Sequence, residues 1–447
     1  MKCAKSLQIR HKSNIRRASN MNFTQNNKLM QIKPETMVIG VDIGSEFQYA
    51  RAFDFRGFEF SRKALKFPNT RDGFEAFDIW VTDLMKKNNK THAFVGMEPT
   101  GHYWYGFGCH LQSMGVEFGM VNPYHVKRSK ELDDNTPTKN DRKDPKTIAM
   151  LVKDGRFLVP YMPEGVYREL RNLMELRRQC VVQLISIQNR VKRWLAIYFP
   201  EFSTVFKKWT GKAAMLTLKH FPTPQAVIET GEEKIVATWK EEVKRAVGHK
   251  HAKKLIEAAE SSIGLKHGLD SAALEIETLL DEYRIYSLRN QKIMGIVEEQ
   301  LKQVPNANKL LEIKGIGIVA VAGFIASVGD IGRFDAPEQI VKLLGLNLRE
   351  NSSGKHKGKT TITRRGRSDG RYAIFQAVLP LAARNPEFRK LHQYYILREN
   401  KPLKKMQSII ALCGKLIRVF YAILKTGSNY DAQKMMNDIK RPIKVAA

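Results

Sequence analysis

Apolar positions along this chain change their period twice. The first ordered stretch is Thr36-Met37-Val38-Ile39-Gly40-Val41, a short apolar run ending at Asp42. Two more strand-like runs lie around Phe47–Phe53 and Phe58–Phe67. A turn at Asn69-Thr70-Arg71-Asp72-Gly73 precedes helical spacing from Phe74 to Met85. Ala93-Phe94-Val95-Gly96-Met97 reads as another buried strand, ending at Glu98. A helix near His102–Met114 and a strand at Val116–Val121 follow. A run of strands followed by alternating helices and strands predicts an α/β domain with a mixed sheet.

Near Pro163 the period changes. Val166, Leu170, Leu173, Cys180, Leu184, Ile187, Val191 and Trp194 recur at three- and four-residue steps, with Arg177 as the polar break. Ala273, Ile276, Leu280, Tyr283, Met294, Val297 and Leu301 repeat the pattern, with Ser287 and Asn290 in register. A 3,4 repeat makes a narrow apolar seam, which serves a coiled coil between chains or a hairpin packed within one chain. Between the two lies a Lys-rich segment, Pro200 to Gly268, helical in texture. Pro305 opens a last region: helical over Leu310–Leu344, polar and very basic over Asn347–Gly370, helical again over Arg371–Leu424. The expected organisation is a flexible basic arm (1–35), an α/β domain (36–160), a long helical region with an insertion (161–304) and a mostly helical C-terminal domain (305–447).

Composition narrows the partners. The 447 residues carry 75 Lys and Arg against 45 Asp and Glu, a net charge of +30. Such an excess favours a polyanion through attraction and counterion release, so nucleic acid is the expected partner. Cys3, Cys109, Cys180 and Cys413 are far apart and form no CxxC pair, which argues against a disulfide framework or zinc ribbon. The first residues lack the apolar run of a secretory signal, and the apolar stretches are interrupted by charge, so a cytoplasmic protein without membrane contact is expected.

Four acids stand out by position. Asp42 ends the first strand, Glu98 follows a later one, and Asp141 and Asp144 share Asp141-Arg142-Lys143-Asp144. Strand ends and a nearby helix bring such residues together, and an i, i+3 pair on a helix faces one way. Four converging carboxylates repel one another unless cations sit between them. Hard Mg²⁺ prefers such oxygens, and two bound metals stabilise the attacking and leaving oxygens of phosphoryl transfer. Asp133-Asp134 lacks that placement and reads as loop.

Two features stand out in the C-terminal region. Lys314-Gly315-Ile316-Gly317 precedes a small-residue helix, where glycines expose backbone N–H groups to a phosphate, as in one half of a helix-hairpin-helix grip. Close helix packing explains the same glycines. Asn351-Ser352-Ser353-Gly354 is followed by Lys355, His356, Lys357, Lys359, Arg364, Arg365 and Arg367. Cations of this density suit phosphate contact, and they also suit charge compensation of a serine attacking a phosphodiester.

With these residues assembled, the chain resembles transposases of the insertion sequence 110 family, RNA-guided serine recombinases. The likeness rests on Gly40-Val41-Asp42-Ile43-Gly44, Glu98-Pro99-Thr100-Gly101 and Asp141-Arg142-Lys143-Asp144. In the C-terminal region it rests on Ile313-Lys314-Gly315-Ile316-Gly317, Gly345-Leu346, Ser353-Gly354 and Ile362-Thr363-Arg364-Arg365-Gly366. It implies an RNase H/RuvC-like first domain whose DEDD tetrad falls on Asp42, Glu98, Asp141 and Asp144 and binds Mg²⁺. It implies coiled-coil middle helices that form a dimer, itself assembling to a tetramer. It also places a nucleophile at Ser353, which links covalently to donor or target DNA under the guidance of an element-encoded bridge RNA. Pro145 departs from the small residue usual after the last acid, and proline suits a first helical turn. Ser352 beside Ser353 leaves two candidate nucleophiles. Two other readings use the same features: a metal-dependent endonuclease with water as nucleophile, and a non-catalytic RNA-binding protein.

Overall fold

The computed structural model describes residues 25–60, 63–133, 144–243, 247–349, 352–353, 356–358 and 360–437; of these, the side chains of 130–133, 352–353, 356–357 and 437 are not described. The chain separates into two compact units, one of residues 1–162 with 333–335, the other of 163–332 with 336–447.

The first unit is built on one mixed sheet. Its strands are β1 (Thr36–Ile43), β2 (Phe47–Phe53), β3 (Leu65–Pro68), β4 (His92–Met97), β5 (Glu117–Val121) and β6 (Phe157–Leu158), in the order β3-β2-β1-β4-β5-β6. β1, β4 and β5 run parallel, and β2, β3 and β6 pair antiparallel at the flanks. A central strand covered on both faces reads as a continuous apolar run, which is why Met37–Val41 shows no alternation. On one face Ile39, Val41, Val95 and Met97 pack with Phe77 and Phe107, from helices α2 (Arg71–Lys87) and α3 (Trp104–Met114). On the other, Val38, Phe94 and Val121 pack against Ile148 and Val152, from α5 (Asp144–Lys153), beside α4 (Pro123–Asp133). Part of the expected basic arm is built into this unit: a short helix α1 (Gln25–Leu29) lies by β6, with Gln25 Nε2 donating to the Asp154 carbonyl at 3.0 Å and Lys28 Nζ 5.4 Å from the Phe157 ring. Residues 1–24 lie outside the described residues.

The second unit begins with α6 (Gly165–Tyr198), which pairs with α12 (Leu269–Lys302) as an antiparallel hairpin. The direction follows from three contacts: Cys180 Sγ to the Tyr286 carbonyl at 3.1 Å, Arg190 to Glu282 at 3.2 Å, and Trp194 Nε1 to the Ala272 carbonyl at 2.8 Å. The 3,4 seam is therefore spent within the chain. Its polar breaks fall inside the packing, where Arg177 Nε and Asn290 Oδ1 are buried without a hydrogen-bond partner. Among the described residues, the insertion between the hairpin helices folds as five helices, α7 (Phe202–Val205), α8 (Lys212–His220), α9 (Pro224–Thr230), α10 (Glu232–Glu242) and α11 (His249–Glu260). Trp209, Phe221, Trp239 and Leu255 from this segment share a core with Trp194 and Ile276 of the hairpin, and Trp239 Nε1 donates to Thr217 Oγ1 at 2.9 Å.

The remaining helices are α13 (Ala307–Leu311), α14 (Ile318–Val328), α15 (Pro337–Leu343), α16 (Ser368–Arg384), α17 (Pro386–Leu397), α18 (Lys405–Thr426) and α19 (Ala432–Asn437). Leu310–Leu344 is thus three helices, broken at Gly315, Gly317, Gly329 and Gly332. α14 is buried from Val321 to Val328; a methyl on its Gly323 would lie 2.8 Å from Ala373 Cβ, so α16 rests directly on it. α18 is long and apolar enough to cross a membrane by length, yet it buries Leu412, Leu416, Ile417 and Phe420 among these helices and serves as their core.

Candidate active site

Glycines decide where the acids go. Gly40, Gly96 and Gly119 stand side by side across β1, β4 and β5. A methyl on Gly40 would lie 1.8 Å from the Pro145 carbonyl oxygen, and one on Gly96 would lie 2.3 Å from Val152 Cγ2. Without side chains there, the α5 backbone settles onto the sheet. Side chains two apart on a strand share a face. Asp42 and Glu98, each two residues beyond one of these glycines, therefore stand on the α5 face at the carboxyl end of adjacent parallel strands, one step past the Val41–Met97 pair. Asp144 opens α5 and is 9% exposed, one residue before the proline that touches Gly40. Its carboxylate at a helix start also complements the partial positive charge of the unpaired N–H groups.

Three of the four sequence-predicted acids thus lie at one sheet edge; Asp141 lies outside the described residues. Among the described residues no group of three or more His, Cys, Asp or Glu side chains is close enough to hold a metal ion. The three available donors are all hard carboxylates, the set that suits a divalent cation with retained water. Sequence reasoning missed Tyr49 and Lys66. Tyr49 is registered directly opposite Asp42, and Lys66 opposite Tyr49 with its Nζ 6.0 Å from the ring, which puts a phenol and an ammonium on the acid face. Only strand register reveals them.

The basic C-terminal stretch is a β-arm. β7 (Leu348–Arg349) pairs with β10 (Thr361–Ile362), and β8 (Ser352–Ser353) pairs with β9 (His356–Lys357), Ser353 standing opposite His356. Ser353 is thus paired with His356; Lys355 and Lys359, and the side chains of Ser352, Ser353 and Lys357, lie outside the described residues. The arm's base is clamped. Thr363 Oγ1 bonds Asn347 Oδ1 at 2.7 Å, and Arg371 donates to the Leu344 carbonyl at 2.8 Å. The two chains cross so closely that a methyl on Gly366 (φ 147°) would lie 2.3 Å from the Leu343 carbonyl oxygen. Arg364 and Arg365 are exposed, whereas Arg367 donates to the Ser327 carbonyl at 2.8 Å and so fastens the arm to α14. Lys314, Gly315 and Gly317 are exposed in the turn between α13 and α14, with Gly317 as the N-cap of α14. The acids belong to the first unit; Ser353 and this turn belong to the second.

Comparison with known proteins agrees with both halves. Residues 39–200 match the DEDD transposase family of IS110 type, and residues 307–393 match the transposase IS116/IS110/IS902 family. A 44.8 kDa protein of insertion element IS116 from Streptomyces clavuligerus is 23% identical over 288 residues, covering 64% of this chain and 71% of the relative. A transposase for insertion sequence element IS1111A from Coxiella burnetii is 28% identical over 149 residues, 32% of this chain and 40% of the relative. A pilin gene-inverting protein of Moraxella bovis is 31% identical over 129 residues, 28% of this chain and 38% of the relative. The chain is a DNA transposase and belongs to the IS110 family of insertion-sequence enzymes.

Proposed function

We propose that this transposase moves its element through a covalent serine–DNA intermediate, using a RuvC-like carboxylate domain and a serine domain. The observation that carries the reading is the glycine floor: Gly40 and Gly96 let α5 approach until Asp42, Glu98 and Asp144 share one edge and one face. The strand order, a parallel β1-β4-β5 core continued by antiparallel pairing through β2 and β3 on one side and β6 on the other, supports the RuvC-like assignment. In this scheme Asp42, Glu98, Asp141 and Asp144 hold Mg²⁺. When bound, the metal supplies Lewis-acid stabilisation of the attacking and leaving oxygens. Ser353 Oγ attacks a phosphodiester; a phosphoserine bond forms, the bond to one sugar oxygen breaks, and that oxygen leaves as a hydroxyl. Strand exchange reverses the step with a hydroxyl from another DNA end.

Several features support the partners. The net charge of +30 favours DNA together with an element-encoded guide RNA. Arg364, Arg365 and Lys314 stand exposed near the arm base and the Gly315–Gly317 turn. With the hairpin seam used internally, Leu176, Val182 and Ile185 on α6 and Ile285, Leu288 and Ile296 on α12 still present apolar surface, which suits a second copy of the chain and a coiled-coil contact between copies.

The test is cleavage of supercoiled donor DNA by the full chain with guide RNA and Mg²⁺. Asp42→Asn, Glu98→Gln and Asp144→Asn each lower the rate at least ~100-fold. Cleavage indifferent to all three overturns the reading.

A further inference from the structure

We infer that Lys66, braced over the Phe47 ring, grips the backbone of the DNA strand lying at the acids, at a phosphodiester within about three nucleotides of the one the carboxylates act on. This rests on the acid-site reading and adds to it a residue that positions the strand.

Register and burial together settle the face on which Lys66 stands. Asp42 is paired with Tyr49, and Tyr49 with Lys66, so the three form one row across β1, β2 and β3. Their sequence neighbours point the other way: Val41, Ile43, Ala50, Leu65 and Phe67 all pack into the core that α2 and α3 cover. Side chains alternate along a strand, so Asp42, Tyr49 and Lys66 share the opposite face, and Phe47, two residues before Tyr49, joins them. Phe47 is 40% exposed, Tyr49 is half-buried and Lys66 is exposed. Neighbouring strands lie ~4.8 Å apart, so the backbone of Lys66 stands ~10 Å from that of Asp42. Successive phosphates of one DNA strand rise ~3.4 Å, which makes this span about three nucleotides.

The surroundings of Lys66 suit an anion from outside the fold. Its Nζ lies 3.9 Å from the Phe47 ring centroid and 6.0 Å from that of Tyr49, within cation–π range of both. Among the described residues no carboxylate forms an ion pair with it. Arg51, two residues after Tyr49 on the same face, is the contrast: its Nη2 is 2.6 Å from Glu59 Oε2, and both side chains are largely buried. The rings attract the Lys66 ammonium without cancelling its charge. They also restrain a long side chain that otherwise loses much freedom on binding. A restrained, uncompensated cation in line with carboxylates suited to phosphoryl transfer matches a phosphate of the same strand, a contact that fixes register without reading bases. The strand at the acids is the one to be cut, which in a transposase is DNA, so the occupant is DNA rather than guide RNA.

The test measures binding of the full chain, carrying its guide RNA, to a labelled donor duplex that spans the cleavage position, in EDTA so that cleavage does not enter. Lys66→Gln weakens binding roughly 5-fold at low salt and lowers the salt slope by about 0.9. Over a fourfold rise in salt the variant therefore loses about 3.5-fold less affinity than the wild type. Lys66→Arg keeps affinity and slope, since it keeps the charge and the ring contact. Phe47→Leu keeps the slope and weakens binding by roughly 2- to 5-fold, because the charge stays and its brace is gone. An uncharged methylphosphonate is then moved one position at a time along the cut strand. At one position within about three nucleotides of the cut it weakens the wild type and leaves Lys66→Gln unchanged. Lys66→Gln with wild-type affinity and slope overturns the inference. So do methylphosphonate profiles that coincide in the two proteins, a silent position farther from the cut, or a loss confined to guide RNA binding. Binding is read without cleavage, so the two readings fail separately. Carboxylate variants that still cut overturn the acid site and leave the Lys66 contact standing; an indifferent Lys66 beside inactive carboxylate variants does the reverse.

Discussion

Gly40→Ala probes how the fold sets the acids. The new methyl would meet the Pro145 carbonyl oxygen at 1.8 Å and Ala149 N at 2.8 Å. The first distance falls short by about 1.5 Å of the ~3.3 Å at which carbon–oxygen contacts settle. Both opposing atoms are backbone, so no rotamer change relieves the clash and α5 must withdraw from β1. Overpacking of this kind costs about 3 kcal/mol. For a unit of this size that lowers its melting temperature by about 6–12 °C. Withdrawal by about 1 Å also carries Asp144 away from Asp42, which lowers cleavage by about 100-fold even in the folded fraction. Gly96→Ala is the internal contrast, since its methyl meets Val152 Cγ2 at 2.3 Å, a side-chain atom rather than the α5 backbone; a shift of that side chain alone leaves Asp144 nearer its place, so the loss in cleavage is smaller. Differential scanning fluorimetry and single-turnover cleavage below the melting transition read the two effects separately. If Gly40→Ala melts and cleaves like the wild type, the glycine floor does not position Asp144.

Three further outcomes follow from packing in the second unit. Trp194→Phe leaves the buried Ala272 carbonyl without its 2.8 Å donor, and chemical denaturation is expected to show a loss of about 1–3 kcal/mol. Arg177→Met removes a desolvated guanidinium whose Nε has no partner and whose pKa is pulled down by burial; the variant melts at the same temperature or higher, and a lower one contradicts the seam assignment. Burial raises the Cys413 thiol to about 12, so it stays protonated across the working range. Iodoacetamide at pH 8 therefore labels the exposed Cys109 and spares Cys413 until the protein unfolds, as peptide mass mapping will show.

The strands and the acid edge were readable because their signals are local. Val38–Val41 and Ala93–Met97 are continuous apolar runs closed by a carboxylate, and parallel neighbours put their ends together. What sequence could not supply was register: nothing in the string pairs Gly40 with Gly96, or sets Tyr49 opposite Asp42. The 3,4 seam was legible as a seam and silent about its partner, because a second chain and an antiparallel segment of the same chain demand the same spacing. The Trp194–Ala272 bond and the insertion core decide for the intrachain hairpin. Asn347–Gly370 reads as loop from composition, since polar residues and glycines give no apolar alternation. It pairs as a β-arm because its base is gripped from outside by Arg367 and Arg371. Arg367 also shows why charge alone misleads, for a cation in a basic run can serve the fold as readily as a phosphate.

The most direct test of the mechanism is capture of protein-linked DNA. The full chain is incubated with Mg²⁺, RNA transcribed from the element's ends and labelled donor and target DNA, then resolved on a denaturing gel. A labelled adduct is expected from the wild type and from Ser352→Ala, and none from Ser353→Ala or Asp42→Asn. Cleaved DNA that never becomes attached to protein, and is formed equally well by Ser353→Ala, contradicts the serine mechanism and leaves water as the nucleophile.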